Sequence, residues 1–268
     1  MRYTGKLVGG LIGMVFGPVA ALAGVLLGHQ VDEHLDRQDA LPPPGPEELA
    51  AISERFFRAT FRVMGYVAKA DGRVTEQEIS AARAVMAQLR LDGARVQQAI
   101  ECFTAGKQAG FDLTAELTGL ARACAGRPDL VRVFVEIQVR AALSGNNLDG
   151  PVRPLMSRIA SRLGVSAFEM AQIEAVLRIS GGTFRFASAG GEPGPTVSQK
   201  LEEAYKVLDA APDASDQDVV KAYRRQLSRH HPDKLKANGL PESMIEHAKQ
   251  RTQQIIEAYE LIRQRRGI

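Results

Sequence analysis

An all-α protein with a single N-terminal transmembrane helix is the fold class this sequence predicts. Three observations predict it: an uncharged apolar run near the start, apolar side chains recurring every three to four residues from about Glu47 onward, and two breaks rich in Pro, Gly or Ser that divide the helical stretches. Composition agrees with a packed interior. Of the 268 residues, 45% are hydrophobic, 24% charged and 6% aromatic, with no Trp, so small aliphatic side chains must fill the core. The formal charge of +3 is too mild to imply a nucleic-acid partner, and none is expected. Cys102 and Cys124 lie apart without a CxxC pair, which excludes a zinc ribbon or disulfide framework and predicts buried, reduced thiols.

The first element, residues 1–30, contains "LVGGLIGMVFGPVAALAGVLLG" from Leu7 to Gly28, uncharged and long enough as a helix to cross a hydrocarbon core. A secretory signal would share the positive start at Arg2 and Lys6, but its apolar region is usually only about 7–15 residues and ends at a small-residue cleavage site, which is missing here. An uncleaved anchor is the expectation. Gly9, Gly13 and Gly17, then Gly24 and Gly28, recur every four residues, giving a smooth face on which two such helices could approach as a homodimer. Arg2 and Lys6 before the span, against Asp32, Glu33, Asp36 and Asp39 after it, favour an exported body by the positive-inside rule.

Residues 31–48 form a Pro-rich spacer, "DALPPPGPEE" being stiff and extended. From 49 to 180 helical periodicity dominates. Phe56, Phe57, Thr60, Phe61, Met64, Val67 and Ala68 mark one face, and Val131, Val133, Phe134, Ile137 and Val139 mark a buried stretch. Segments starting at Tyr66 and Ala141 each read as helix end, Asp-Gly turn and amphipathic helix, an internal repeat. In the first copy Asp71, Glu76 and Glu78 offer three carboxylates for a divalent cation. An EF-hand is excluded, because Val67 and Lys69 would stand where oxygen ligands are needed. The competing reading is a capping box from Thr75 to Glu78. The stretch "AKADGRVTEQEI" resembles the signature of the TerB-like (tellurite-resistance B) helical domain. That resemblance implies an internally repeated, membrane- and stress-associated module whose acidic turn can bind metal, so a membrane-associated metal or stress sensor is the alternative function. No nucleophile with a nearby base and no Gly-rich phosphate loop accompanies it, so an enzyme is not expected.

Residues 181–199 are a Gly/Ser/Pro linker, and a small autonomous helical unit is expected over 200–268. Leu201, Ala204, Tyr205 and Leu208 stripe a short helix. Ser215 and Asp218 resemble a capping box for the next, on which Val220, Tyr223 and Leu227 form the apolar face and Lys221, Arg224, Arg225 and Arg229 a basic one. Pro232 must stop that helix. Ile255, Ala258, Tyr259 and Ile262 then give a returning helix its complementary stripe, making an antiparallel hairpin with "HPD" exposed in the connection. A proline-fixed turn presents His231 and Asp233 to a partner at low entropic cost. As metal ligands His230 and His231 lack a third group at suitable spacing, and as a base His231 lacks a nucleophile.

The segment "LEEAYKVLDAAPDASDQDVVKAYRRQLSRHHPDKL", with "QIIEAYELIRQRR" after it, resembles the J-domain of DnaJ-family co-chaperones, and Asp209 stands where the family usually has glycine. The resemblance implies binding of ATP-loaded Hsp70 (DnaK) and stimulation of its ATP hydrolysis, with His231, Pro232 and Asp233 as trigger and Lys221, Arg224, Arg225 and Arg229 as cationic docking face. The order of anchor, TerB-like domain, linker and J-domain is similar to that of membrane-anchored DnaJ-like co-chaperones. It implies a bacterial inner-membrane protein with its body in the cytoplasm, against the charge bias at the span.

Overall fold

The computed structural model describes residues 44–181 and 197–268. Among them every regular element is helical. The expected membrane helix, with its glycine face at Gly9, Gly13, Gly17, Gly24 and Gly28, lies outside the described residues.

Helix α1 (Pro46–Ala68) begins inside the expected spacer, because Pro46 costs no hydrogen bond in a first turn and Glu47 and Glu48 suit the positive helix end. Its buried face holds Phe56, Phe57, Thr60, Phe61, Met64, Val67 and Ala68, as the spacing predicts. Thr60 is tolerated there because its hydroxyl donates to the Phe56 carbonyl at 2.8 Å. Helices α2 (Glu76–Gln88), α3 (Gly93–Gly106) and α4 (Leu113–Ala123) follow. Where α1 crosses α3 the backbones touch: a Cβ on Gly65 would run into the Phe103 carbonyl oxygen, and one on Gly106 into that of Arg62. Only glycine fits there.

Helix α5 (Pro128–Asn146) is the central strut, with Leu130, Phe134, Val135 and Val139 wholly inaccessible. Phe56 meets Phe134 edge-on at 5.9 Å. Helices α6 (Val152–Arg162) and α7 (Ala167–Gly181) complete the bundle. The two halves share a plan. In each, a left-handed glycine, Gly72 (φ 97°) or Gly150 (φ 55°), turns the chain between helices, and α1 packs on α3 as α5 packs on α7. Cys102 and Cys124 are free and buried, and burial pushes the Cys124 thiol up to about 11.

The C-terminal part comprises α8 (Val197–Leu208), α9 (Asp216–His230), the short α10 (Pro232–Ala237), a 3₁₀ turn at Glu242–Met244 and α11 (Ile245–Arg266). Helices α9 and α11 form the predicted hairpin, with Tyr223 stacked on Tyr259 at 4.1 Å between ring centroids. Ala204, Leu208, Val219, Ala222, Ile255, Ala258 and Ile262 are its core. Arg266 closes the open end, donating to Tyr205 Oη, the Ala214 and Pro212 carbonyls and Asp216.

Two expectations are corrected here. The buried face of α9 is Val219, Ala222, Gln226 and His230, whereas Val220, Tyr223 and Leu227 are only partly covered. The unit is also not free-standing. Leu235, Leu240, Met244, Ile245 and Ala248 belong to the same apolar core as α1 and α5, and Val176 of α7 joins the hairpin's core. Gly239, left-handed at φ 99°, lets the turn after α10 rest directly on Ile52. Full burial of each large apolar side chain stabilises by about 1.5–3 kcal/mol, so these contacts outweigh the exposed ion pair between Arg90 and Glu246 at 3.6 Å, worth at most about 1 kcal/mol.

Candidate protein-docking site

The tripeptide at 231–233 is built by two helix ends. Pro232 has no N–H and disfavours helical geometry in the preceding residue, so α9 stops at His230 and His231 is extended at φ −62°, ψ 123°. The freed His230 carbonyl accepts from Thr252 Oγ1 of α11 at 2.9 Å. Pro232 then occupies the first turn of α10, which replaces the loop expected there. His231 caps that helix, its Nδ1 accepting the Asp233 N–H at 3.2 Å, so a neutral ring carries its proton on Nε2. His231 and Asp233 are exposed and Pro232 half-buried. The result is a fixed, outward-facing polar turn.

The expected four-cation face is split. Lys221 and Arg224 are exposed on α9, whereas Arg225 Nη2 donates at 3.1 Å to both the carbonyl and the carboxylate of Asp209. Arg229 is half-buried, and burial followed by the nearby Arg132 and Arg225 pushes its guanidinium down. Asp209 itself sits at φ 57°, a left-handed position that Asp tolerates better than most residues. Its carboxylate also accepts from Gln172 of α7.

Sequence reasoning missed what lies behind the turn. Glu136 of α5 is buried, with Oε1 at 3.7 Å from His230 Nε2 and Oε2 at 3.7 Å from His247 Nε2, too far for hydrogen bonds. Arg132 and Arg140 on α5 and Arg251 on α11 complete the cluster. Burial pushes His230 down to about 3, opposed by Glu136 and aided by Arg251, Arg132 and His247. His247 is pushed down by burial too. For Glu136 burial acts upward, but His230, His247 and Arg251 outweigh it and hold the carboxyl well below its usual range. Glu136 is thus the counter-charge for the three arginines, with two imidazoles that burial keeps neutral packed beside it. Nearby, Lys234 Nζ pairs with Asp129 Oδ2 of α5 at 2.9 Å. The signal in the sequence was the charged series Arg132, Glu136, Arg140 along a largely apolar stretch of helix.

The cation site expected at Asp71, Glu76 and Glu78 is not assembled. Glu78 turns inward to accept from Thr75 N–H (2.9 Å) and Thr75 Oγ1 (3.1 Å), while Thr75 Oγ1 accepts the Glu78 N–H. Asp71 accepts from the Arg73 N–H, and both it and Glu76 face solvent. Among the described residues no three His, Cys, Asp or Glu side chains are grouped to hold a metal. The turn is a capping box. Thr75→Ala is therefore expected to lower stability by about 1 kcal/mol, seen as an earlier thermal midpoint, whether or not divalent cations are present.

Three family descriptions match successive stretches of this chain: the co-chaperone DjlA transmembrane domain over residues 1–38, the tellurite resistance protein TerB over 57–175 and the DnaJ domain over 203–266. Proteins named co-chaperone protein DjlA are similar along the whole length. That of Coxiella burnetii is 42% identical over 272 residues, covering 100% of both chains. That of Photobacterium profundum is 39% identical over 274 residues, covering 98% of this chain and 99% of the relative. That of Escherichia coli O157:H7 is 37% identical over 280 residues, covering 100% and 99%. No solved structure matches.

Proposed function

This chain belongs to the DjlA family of J-domain co-chaperones, and from that premise we propose that it binds DnaK, the bacterial Hsp70, and stimulates its ATP hydrolysis through His231, Pro232 and Asp233. The family is one of co-chaperones rather than enzymes, so the ATP is hydrolysed by the partner. The observation that carries the proposal is the exposure of His231 and Asp233 on a turn fixed by Pro232, by the cap to the Asp233 N–H and by Thr252 beneath. A rigid polar turn loses little freedom on binding. Lys221 and Arg224, exposed along α9, supply the field that draws in an acidic surface of the partner, while Arg225 and Arg229 contribute from the edge. A membrane tether for this unit is supported by the match of residues 1–38 to the DjlA transmembrane domain. DnaK and ATP are cytosolic in bacteria, so the body stands on the cytoplasmic side of the inner membrane.

The test is steady-state ATP turnover by DnaK with increasing full-length chain in detergent micelles. A several-fold rise that saturates is expected. Turnover unchanged at every concentration would overturn the proposal.

A further inference from the structure

Asp129 and Glu136 are seven residues apart on α5, two helical turns, and so project from one face. Asp129 reaches Lys234, the residue immediately after the tripeptide, at 2.9 Å. Glu136 reaches His230, the residue immediately before it, at 3.7 Å. Between these two points His231 and Asp233 stay exposed, and Leu235, one turn into α10, is wholly inaccessible within the core shared with α1 and α5. One flank of the turn is therefore paired with, and the other buried against, a helix of the preceding bundle, outside its own hairpin.

We propose that α5 is the positioning element of the docking turn, with Asp129 and Glu136 as positioning residues that bracket His231, Pro232 and Asp233 and hold them ready for DnaK. The inference rests on the function proposed above. Its physical basis is pre-organisation: a turn clamped at both ends loses less freedom when the partner binds, so the clamp appears as affinity. The bracket leaves the polar side chains of the turn uncovered, which distinguishes it from a lid. Asp129 supplies the C-terminal clamp as an ion pair, while on the N-terminal side His230 is buried against Glu136 in a cluster with Arg132 and Arg140 of α5 and His247 and Arg251 of α11, a packing contact rather than a hydrogen bond.

Asp129→Asn, which keeps size and removes charge, is the test, with Asp129→Glu as the conservative rescue, both in the full-length chain in micelles. Half-saturation of DnaK stimulation by Asp129→Asn is expected at about two- to fivefold higher concentration, the span of one partly exposed ion pair. The loss falls on half-saturation rather than on the maximal rate, and Asp129→Glu restores it. Hydrogen exchange at the α10 amides should quicken in Asp129→Asn while α3 amides stay as in the wild type, which reads the loosened clamp even if the bundle is mildly destabilised. Stimulation by Asp129→Asn that equals the wild type, or exceeds it as removal of a lid would, overturns the bracket. If His231→Gln itself stimulates like the wild type, the docking role has failed instead.

Discussion

His231→Gln is expected to abolish stimulation of DnaK turnover while leaving the fold intact. The ring is exposed, and among the described residues its hydrogen bond is Nδ1 accepting the Asp233 N–H at 3.2 Å. Losing that cap costs about 0.5–1 kcal/mol at most, because α10 stays anchored through buried Leu235 and the Lys234–Asp129 pair. At a docking surface the balance is reversed. A central contact side chain commonly contributes 2 kcal/mol or more, so the concentration giving half-maximal stimulation should rise at least about thirtyfold and stimulation vanish in the accessible range. Matched thermal midpoints with lost stimulation are the expected pair of results. Normal stimulation by the variant would remove His231 from the mechanism.

Acid is expected to destabilise the described body steeply, beginning near pH 6.5. His230 is held near 3 and His247 is also held below 6.5, so both are neutral in the folded chain at pH 7 and ordinary once released. As pH falls below about 6.5 the unfolded chain takes up protons that the folded one refuses, so stability present above that pH is lost downward toward 3, by at most about 1.4 kcal/mol per pH unit for each histidine. Glu136, held below its ordinary 4.5, adds loss in the same direction at lower pH. Denaturant midpoints measured between pH 7.5 and 4.5 should fall continuously. His247→Gln, which removes one titrating ring, should roughly halve the slope. A profile flat from pH 7 to pH 5 would contradict the buried cluster.

The core of α1 was legible because seven residues at helical spacing, Phe56 to Ala68, leave no other face to bury. The turn at Pro232 was legible for a covalent reason, since no helix donates through a missing N–H. What periodicity could not show is which polar side chains a neighbouring unit would cover. On α9 the buried positions include Gln226 and His230, and on α5 they include Glu136 and Gln138, whose amide donates to the Thr60 carbonyl at 2.9 Å. Each looks like a solvent position until another helix lies against it. The acidic turn was ambiguous for a related reason: three carboxylates near a glycine suit a cation or a capping box alike, and Glu78 turns inward to make the box. Asp209 breaks the expected glycine pattern at a left-handed residue, and its contacts to Arg225 and Gln172 give the substitution a purpose that spacing alone could not reveal.

The apolar seam formed by Leu235, Leu240, Met244 and Ile245 makes this C-terminal module a poor cassette. Severed within residues 182–196 it would carry a greasy scar where α1 and α5 had lain, inviting self-association. A J-domain transplanted here from elsewhere would need matching apolar side chains on its underside to cover α1 and α5.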